Sequence, residues 1–174
     1  MSERREGMAA GISLWLVPDG AAYELLAARI HALAASHGGP IFPPHVTLLG
    51  GLPDEAEQVV ASACRLAGSM PRVLVRLVSA RVRDEYFRRL VLEAEPTPPL
   101  MEARAEALRA LEVAAGRYEP HLSLFYGRVD VREADAGVEM PLVLTCRRLT
   151  VWRTEGTVES WRPLGSAELA PGSR

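Results

Sequence analysis

Two short segments of the chain carry the same polar residues in the same order: Pro44-His45-Val46-Thr47-Leu48 and Pro120-His121-Leu122-Ser123-Leu124. In a strand, residues i and i+2 face one way. His45 therefore projects with Thr47, and His121 with Ser123, while Val46, Leu48, Leu122 and Leu124 turn to the packed side. A polar pair on an otherwise apolar strand must meet water, a ligand or a matched partner. An imidazole titrates near neutrality, so of two facing imidazoles one can accept a proton while the other donates one. Hydrolysis at phosphorus needs both: a base for the attacking water and an acid for the leaving oxygen. The Thr and Ser hydroxyls can donate to the non-bridging oxygens as charge builds there. Such a scheme requires neither metal nor cofactor, and the chain carries no HExxH and no carboxylate cluster at ligand spacing.

The elements that must position these groups repeat as well. Ile12 to Val17 is predicted as a buried strand closed by Pro18-Asp19-Gly20. Leu25, Leu26, Ile30 and Leu33 recur at helical spacing over residues 21–36, and Gly38-Gly39-Pro40 ends that helix. The first motif follows on a strand from His45 to Gly51, then a helix capped by Asp54 and running to Ala67, with Val59, Ala63 and Leu66 inward. Arg72 to Arg83 alternates as a strand with one wet face, and Tyr86 to Glu95 is its expected hairpin partner. A third helix is expected from Pro98 to Ala115, stopped by Gly116, and the second motif opens a strand at Pro120. Residues 141–153 and 158–164 form a last strand pair. Strand 12–17, helix 21–36 and the first motif thus match strand 86–95, helix 98–115 and the second. A unit repeated with the same polar residues at the same internal place predicts a pseudo-two-fold with those residues at its axis. An isolated His-x-Thr is commonly an ordinary histidine; two copies at equivalent places reverse that expectation.

The chain has 174 residues and a formal net charge of −2, which suits a single domain over residues 10–166 with loose termini at 1–9 and 167–174. All of its basic residues are Arg, which excludes a lysine nucleophile or Schiff base. The near-neutral balance argues against holding long nucleic acids by phosphate neutralisation. Cys64 and Cys146 lie far apart, fit no disulfide or zinc pattern, and are both expected to be buried thiols. No apolar run is long enough to span a bilayer, and no signal segment opens the chain. A cytoplasmic monomer without a membrane partner is the expectation.

The paired segments PHVTLLG (44–50) and PHLSLFYG (120–127) resemble the signature of the 2H phosphoesterase superfamily. SLWLVP (13–18) and TEGTVESW (154–161) resemble its cyclic phosphodiesterase branch. The resemblance spans residues 12–164 and implies a bilobal α+β fold, two antiparallel sheets with outer helices around a central cleft. It implies His45 and His121 as the acid–base pair, and Thr47 and Ser123 as phosphate-binding hydroxyls. The spacing leaves open which histidine is the base; analogy with the branch implies His121 on water and His45 on the leaving oxygen. Trp15 and Tyr126 fall where the branch has substrate-binding aromatics, although strict alternation puts Tyr126 opposite His121 unless a bulge intervenes. Trp152 and Trp161 are expected to pack. The implied substrates are small cyclic phosphates: nucleoside 2′,3′-cyclic phosphate opened to the 2′-phosphate, and ADP-ribose 1″,2″-cyclic phosphate opened to the 1″-phosphate. One alternative is an RNA 2′,3′-cyclic phosphodiesterase or 2′-5′ RNA ligase acting on RNA ends, with Arg72, Arg76, Arg81, Arg83, Arg88 and Arg89 as a basic rim. Another is a non-catalytic module that binds nucleotides or RNA ends.

Overall fold

A computed structural model describes residues 7–53 and 55–172. Strand β1 (Ile12–Pro18) leads through α1 (Gly20–His37) to β2 (Val46–Leu52), which carries the first motif, and then to α2 (Ala56–Ser69). Strands β3 (Val73–Val82) and β4 (Leu90–Ala94) pair as a hairpin. Helix α3 (Pro98–Ala110) leads to β5 (His121–Phe125), which carries the second motif, and β6 (Leu142–Arg153) and β7 (Arg162–Glu168) complete the fold.

The strand order is β1-β2-β5-β4-β3-β6-β7, and β1 also pairs with β6. Every pairing between these strands is antiparallel. The first six strands thereby close a ring. The twelve-residue β6 makes this possible, because its first half pairs with β3 and its second half lies between β1 and β7. One lobe is β2-β1-β6-β7 and the other β5-β4-β3-β6, and they meet where β2 and β5 pair through Val46 and Leu122. Those two residues occupy the same place in the two motifs, so the pseudo-two-fold runs between them. The connecting helices obey it too: α1 packs on β5 and α3 on β2, each covering the other lobe's motif strand.

Apolar side chains from both lobes and all three helices form one core, with Leu16, Val46, Leu92 and Leu122 fully enclosed. The outer helices present Leu26, Ile30 and Leu33 from α1 and Leu100, Ala103 and Ala107 from α3. Removing that apolar surface from water is the principal force assembling the lobes. Leu25, expected inward, is exposed. Cys146 is buried, but Cys64 is exposed on α2, because Val59, Ala63 and Leu66 take that helix's inner stripe. The Asp54 cap lies outside the described residues.

Three further expectations are corrected. Residues 86–95 are not one strand: Tyr86–Arg88 form a 3-10 turn, and pairing with β3 starts at Leu90. Helix α3 stops at Ala110 rather than near Gly116, since Glu112 adopts the left-handed region at φ 52° and the Val113 N–H turns back to the Leu108 carbonyl at 3.0 Å. Residues 158–160 likewise make a 3-10 turn, and β7 runs to Glu168, past the expected boundary, with Leu169 buried behind it. At the other end Ala9 bridges to Gly156. Among the described residues no helix is long and apolar enough to cross a membrane.

Candidate active site

The site forms where the two motif strands meet. Val46 pairs with Leu122, so continuing the antiparallel register by one residue sets His45 across from Ser123 and Thr47 across from His121. Directly opposed residues share a face. All four groups, with Trp15 and Tyr126, line one cleft of about 270 Å³. The six residues singled out in the sequence are therefore together.

Each imidazole is held in the same way. His45 Nδ1 lies 2.7 Å from the Pro43 carbonyl oxygen and His121 Nδ1 lies 2.8 Å from that of Glu119. A carbonyl can only accept, so both rings carry the proton on Nδ1 and leave Nε2 as the nitrogen available for chemistry. Proline stands between histidine and acceptor in both motifs, at Pro44 and Pro120. Its fixed φ helps aim the carbonyl two residues back at the ring.

The two histidines differ in surroundings. Burial pulls His45 down to about 4, against a rise from the Pro43 hydrogen bond, and the facing His121 lowers it further. His121 is also lowered by burial, and Arg88 adds to that, but Glu85 and Glu119 oppose it along with the Glu119 carbonyl. His45 is thus the more firmly neutral of the two rings.

The hydroxyls are placed by identical irregularities. On β2, Thr47 pairs with Trp15 and Leu49 with Leu14; on β5, Ser123 pairs with Val91 and Phe125 with Leu90. In both strands one extra residue follows the motif hydroxyl, a β-bulge repeated by the pseudo-two-fold. The bulge on β5 shifts the phase of alternation, and this is how Tyr126 comes to the cleft instead of the opposite face. Its ring stacks on Phe42 at 3.8 Å between centroids. Burial raises the Tyr126 phenol, so it is a hydrogen-bonding group here and not an acid at neutral pH. Ser123 Oγ in turn donates to the Phe87 carbonyl at 3.0 Å.

Trp15 lines the cleft with both faces engaged. It stacks on His45 with centroids 3.6 Å apart and planes 11° apart, and on Trp152 at 4.9 Å and 20°. β2 and β6 flank β1 on opposite sides, so these partners approach from opposite directions. With 1% of its surface exposed, Trp15 offers a ligand an edge at most.

The sequence reasoning missed part of the wall. Ser13 and Thr154 share a buried hydrogen bond of 2.7 Å and line the cleft beside Phe87, Arg88 and Trp161. Ser13 had a signal, being the polar residue two before Trp15 in an otherwise apolar strand. Trp161, expected to pack, is half-buried in the cleft wall, stacked on Phe87 at 5.7 Å, with its buried indole N–H unpartnered. Phe87 falls on the face of Val91 and Ser123 in a continuous strand too, whereas Arg88, expected only as part of a basic rim, would there have been turned to the opposite face.

The expected basic rim is largely neutralised. Arg76 pairs with Glu95, Arg81 with Glu93 and Glu133, Arg83 with Glu93, Arg88 with Glu85 and Glu119, and Arg89 with Asp84 and Asp130. Among the described residues no group of three or more His, Cys, Asp or Glu is arranged to hold a metal ion.

Comparison with known proteins agrees with this architecture. The family model described as cyclic phosphodiesterase-like protein matches residues 8–144. A 2′,3′-cyclic-nucleotide 3′-phosphodiesterase of Kluyveromyces lactis is 29% identical over 140 residues, covering 68% of this chain and 65% of the relative's length. One from Yarrowia lipolytica is 25% identical, covering 89% of this chain and 98% of the relative. Among solved structures, the Thermus thermophilus protein TT0787 superposes with a TM-score of 0.59 at 18% identity, covering 93% of this chain and 99% of that one. E. coli LigT complexed with 3′-AMP gives 0.58 at 17%, covering 95% and 99%. These two likenesses establish a shared fold. The family match takes in both histidine motifs and the strands and helices that pair them, and the chain belongs to the cyclic phosphodiesterase-like protein family, within the 2H phosphoesterase superfamily.

Proposed function

We propose that this protein is a metal-independent cyclic phosphodiesterase acting on small cyclic phosphates, nucleoside 2′,3′-cyclic phosphates and ADP-ribose 1″,2″-cyclic phosphate. The observation that carries the reading is the pair of imidazoles in one cleft, each with Nδ1 committed to a backbone carbonyl and Nε2 left for chemistry. The names of the two yeast relatives support the reaction class.

His45, the more firmly neutral ring, takes a proton from water through Nε2 as the water oxygen attacks phosphorus. The P–O3′ bond breaks in line, and the departing 3′ oxygen takes the proton of a charged His121, leaving a 2′-phosphomonoester. One proton enters at His45 and one leaves from His121, so exchange with solvent resets the pair. The glutamates beside His121 favour its protonated form, and they recommend this assignment over the reverse one implied by the branch analogy. Thr47 and Ser123 donate to the non-bridging oxygens; Ser123 must first release the Phe87 carbonyl. On ADP-ribose 1″,2″-cyclic phosphate the same displacement leaves a 1″-phosphate. The neutralised arginines weigh against long RNA as the substrate.

The test is turnover of both substrates in excess EDTA, with product regiochemistry read by phosphorus NMR. Wild type is expected to give the 2′-phosphate, and His45→Ala and His121→Ala each to lose about 10²–10⁴-fold in rate. An inert wild type that binds the ligands would make the protein a binding module, and loss of activity in EDTA would overturn the metal-independent scheme.

A further inference from the structure

Among the described residues, Arg88 is the one cleft-lining residue besides the histidines that can carry positive charge. It reaches the cleft because the chain breaks from strand pairing at Tyr86–Arg88, and the turn is fixed at two points. The Arg88 N–H bonds the Glu85 carbonyl at 3.1 Å, and the neighbouring Phe87 carbonyl accepts the Ser123 hydroxyl. Its guanidinium is tethered from the outer side, by Glu119 at 3.0 Å and Glu85 at 3.4 Å, and its side chain is 21% exposed. Its Nε is buried with no hydrogen-bond partner. A buried, unpaired N–H on a cation is costly unless something completes it. Arg88 also borders two further bays that share His121 with the cleft, so it stands where the cleft continues outward.

Displacement at a phosphodiester puts additional negative charge on the non-bridging oxygens. The two motifs supply hydroxyl dipoles there but no fixed cation, and the chain has no lysine to provide one. Guanidinium matches phosphate geometry, with its N–H groups forking onto two oxygens. We infer that Arg88 is a catalytic residue that contacts a non-bridging phosphoryl oxygen of the bound substrate, with Glu85 and Glu119 as the residues that position it. The inference rests on the cyclic phosphodiesterase reading above. It gives the interruption of the expected strand 86–95 a purpose: the turn converts what would be a strand arginine into a phosphate ligand.

The experiment compares wild type, Arg88→Met, Arg88→Lys and the double variant Glu85→Gln/Glu119→Gln, all in the full chain. Turnover of adenosine 2′,3′-cyclic phosphate and the affinity for inorganic phosphate are measured together, with thermal unfolding to confirm folding. Turnover by wild type tests the parent reading by itself. Arg88→Met is expected to lose about 10²–10³-fold in kcat/KM and to bind phosphate more weakly, with part of both recovered in Arg88→Lys. The double variant keeps the cation but loses the carboxylates that position it and that favour protonated His121, so it is expected to fall in kcat by a smaller factor than Arg88→Met while keeping most of its affinity for inorganic phosphate. If Arg88→Met keeps phosphate affinity and kcat/KM within about threefold of wild type, the inference is overturned. It is also overturned if the double variant, which keeps the guanidinium, loses phosphate affinity as far as Arg88→Met does, since that marks an ion pair that matters through structure alone. Should Arg88→Met fail to fold, Arg88→Lys against the double variant decides the same question.

Discussion

His45 and His121 are chemically the same group, hold the same tautomer, and are distinguished by their neighbours alone. Around His45 stand Trp15, Phe42 and the other imidazole; around His121 stand Arg88, Glu85 and Glu119. Aromatic walls disfavour an added proton, and carboxylates favour one. In the proposed mechanism the base must be neutral to act, so the rate is expected to fall as pH drops through the pKa of His45. The proposed acid must be protonated, so the rate is expected to fall as pH rises through that of His121. Both are lowered from 6.5, and the bell of kcat/KM, which reports the free enzyme, is expected to centre below that value. A bell is symmetric between the two assignments, because the macroscopic values belong to the pair. A substrate with sulfur at the bridging 3′ position breaks the symmetry, since a thiolate leaves without an acid. With that substrate His121→Ala is expected to recover most of its lost rate while His45→Ala stays slow. Recovery in His45→Ala instead would restore the assignment implied by analogy.

The motif strands carry the site, and a large part of them was legible because strand geometry has so short a period. Two residues apart means one face, and that rule alone brought His45 together with Thr47 and His121 with Ser123. The duplication located the axis, and the Val46–Leu122 pair lies on it. What escaped the sequence was every departure from regularity. The twin bulges after Thr47 and Ser123 have no marker residue, being set by how Leu48-Leu49 and Leu124-Phe125 both find the core. The turn at residues 86–88 interrupts a stretch whose β-propensity is high, and tertiary anchoring through Ser123 outweighs that local preference. Gly39 shows how tightly these segments are fitted. A Cβ there would collide with the Phe125 ring and press on the Tyr126 carbonyl, at the end of the strand that carries Ser123. Gly39→Ala is expected to destabilise the fold by about 1–3 kcal/mol in urea unfolding, and to reduce turnover through displacement of Ser123 and Tyr126. An unchanged midpoint would mean that the α1–β2 connection yields without disturbing β5.

At the scale of the whole molecule the ring of strands decides what can reach the chemistry. The lobes share β6 and touch again at β2–β5, so the cleft between them is framed on both sides by hydrogen-bonded ladders. Residues around Ala9 and Thr154 wall it on one lobe, while on the other it continues past His121 over Arg88 toward Arg83, Glu93 and Glu119. An RNA chain would have to follow that second path. Five of the six arginines expected to serve as its rim already face carboxylates, so a phosphate backbone arriving there would displace internal partners and would meet the freed glutamates as like charges. Net charge does not help, at −2. Binding through n phosphates loses affinity with a salt slope of about −0.7n on single strands. For this protein kcat/KM on an oligoribonucleotide ending in a 2′,3′-cyclic phosphate is therefore expected to be no higher than on the mononucleotide, and to depend on salt with a slope of about one contact. A steep slope, or a clear gain with chain length, would show that the ion pairs open to admit RNA and would favour RNA ends as the substrate. A shallow one leaves the reacting phosphate as the single strong electrostatic contact, as expected of a cleft in which, among the described residues, Arg88 is the only guanidinium.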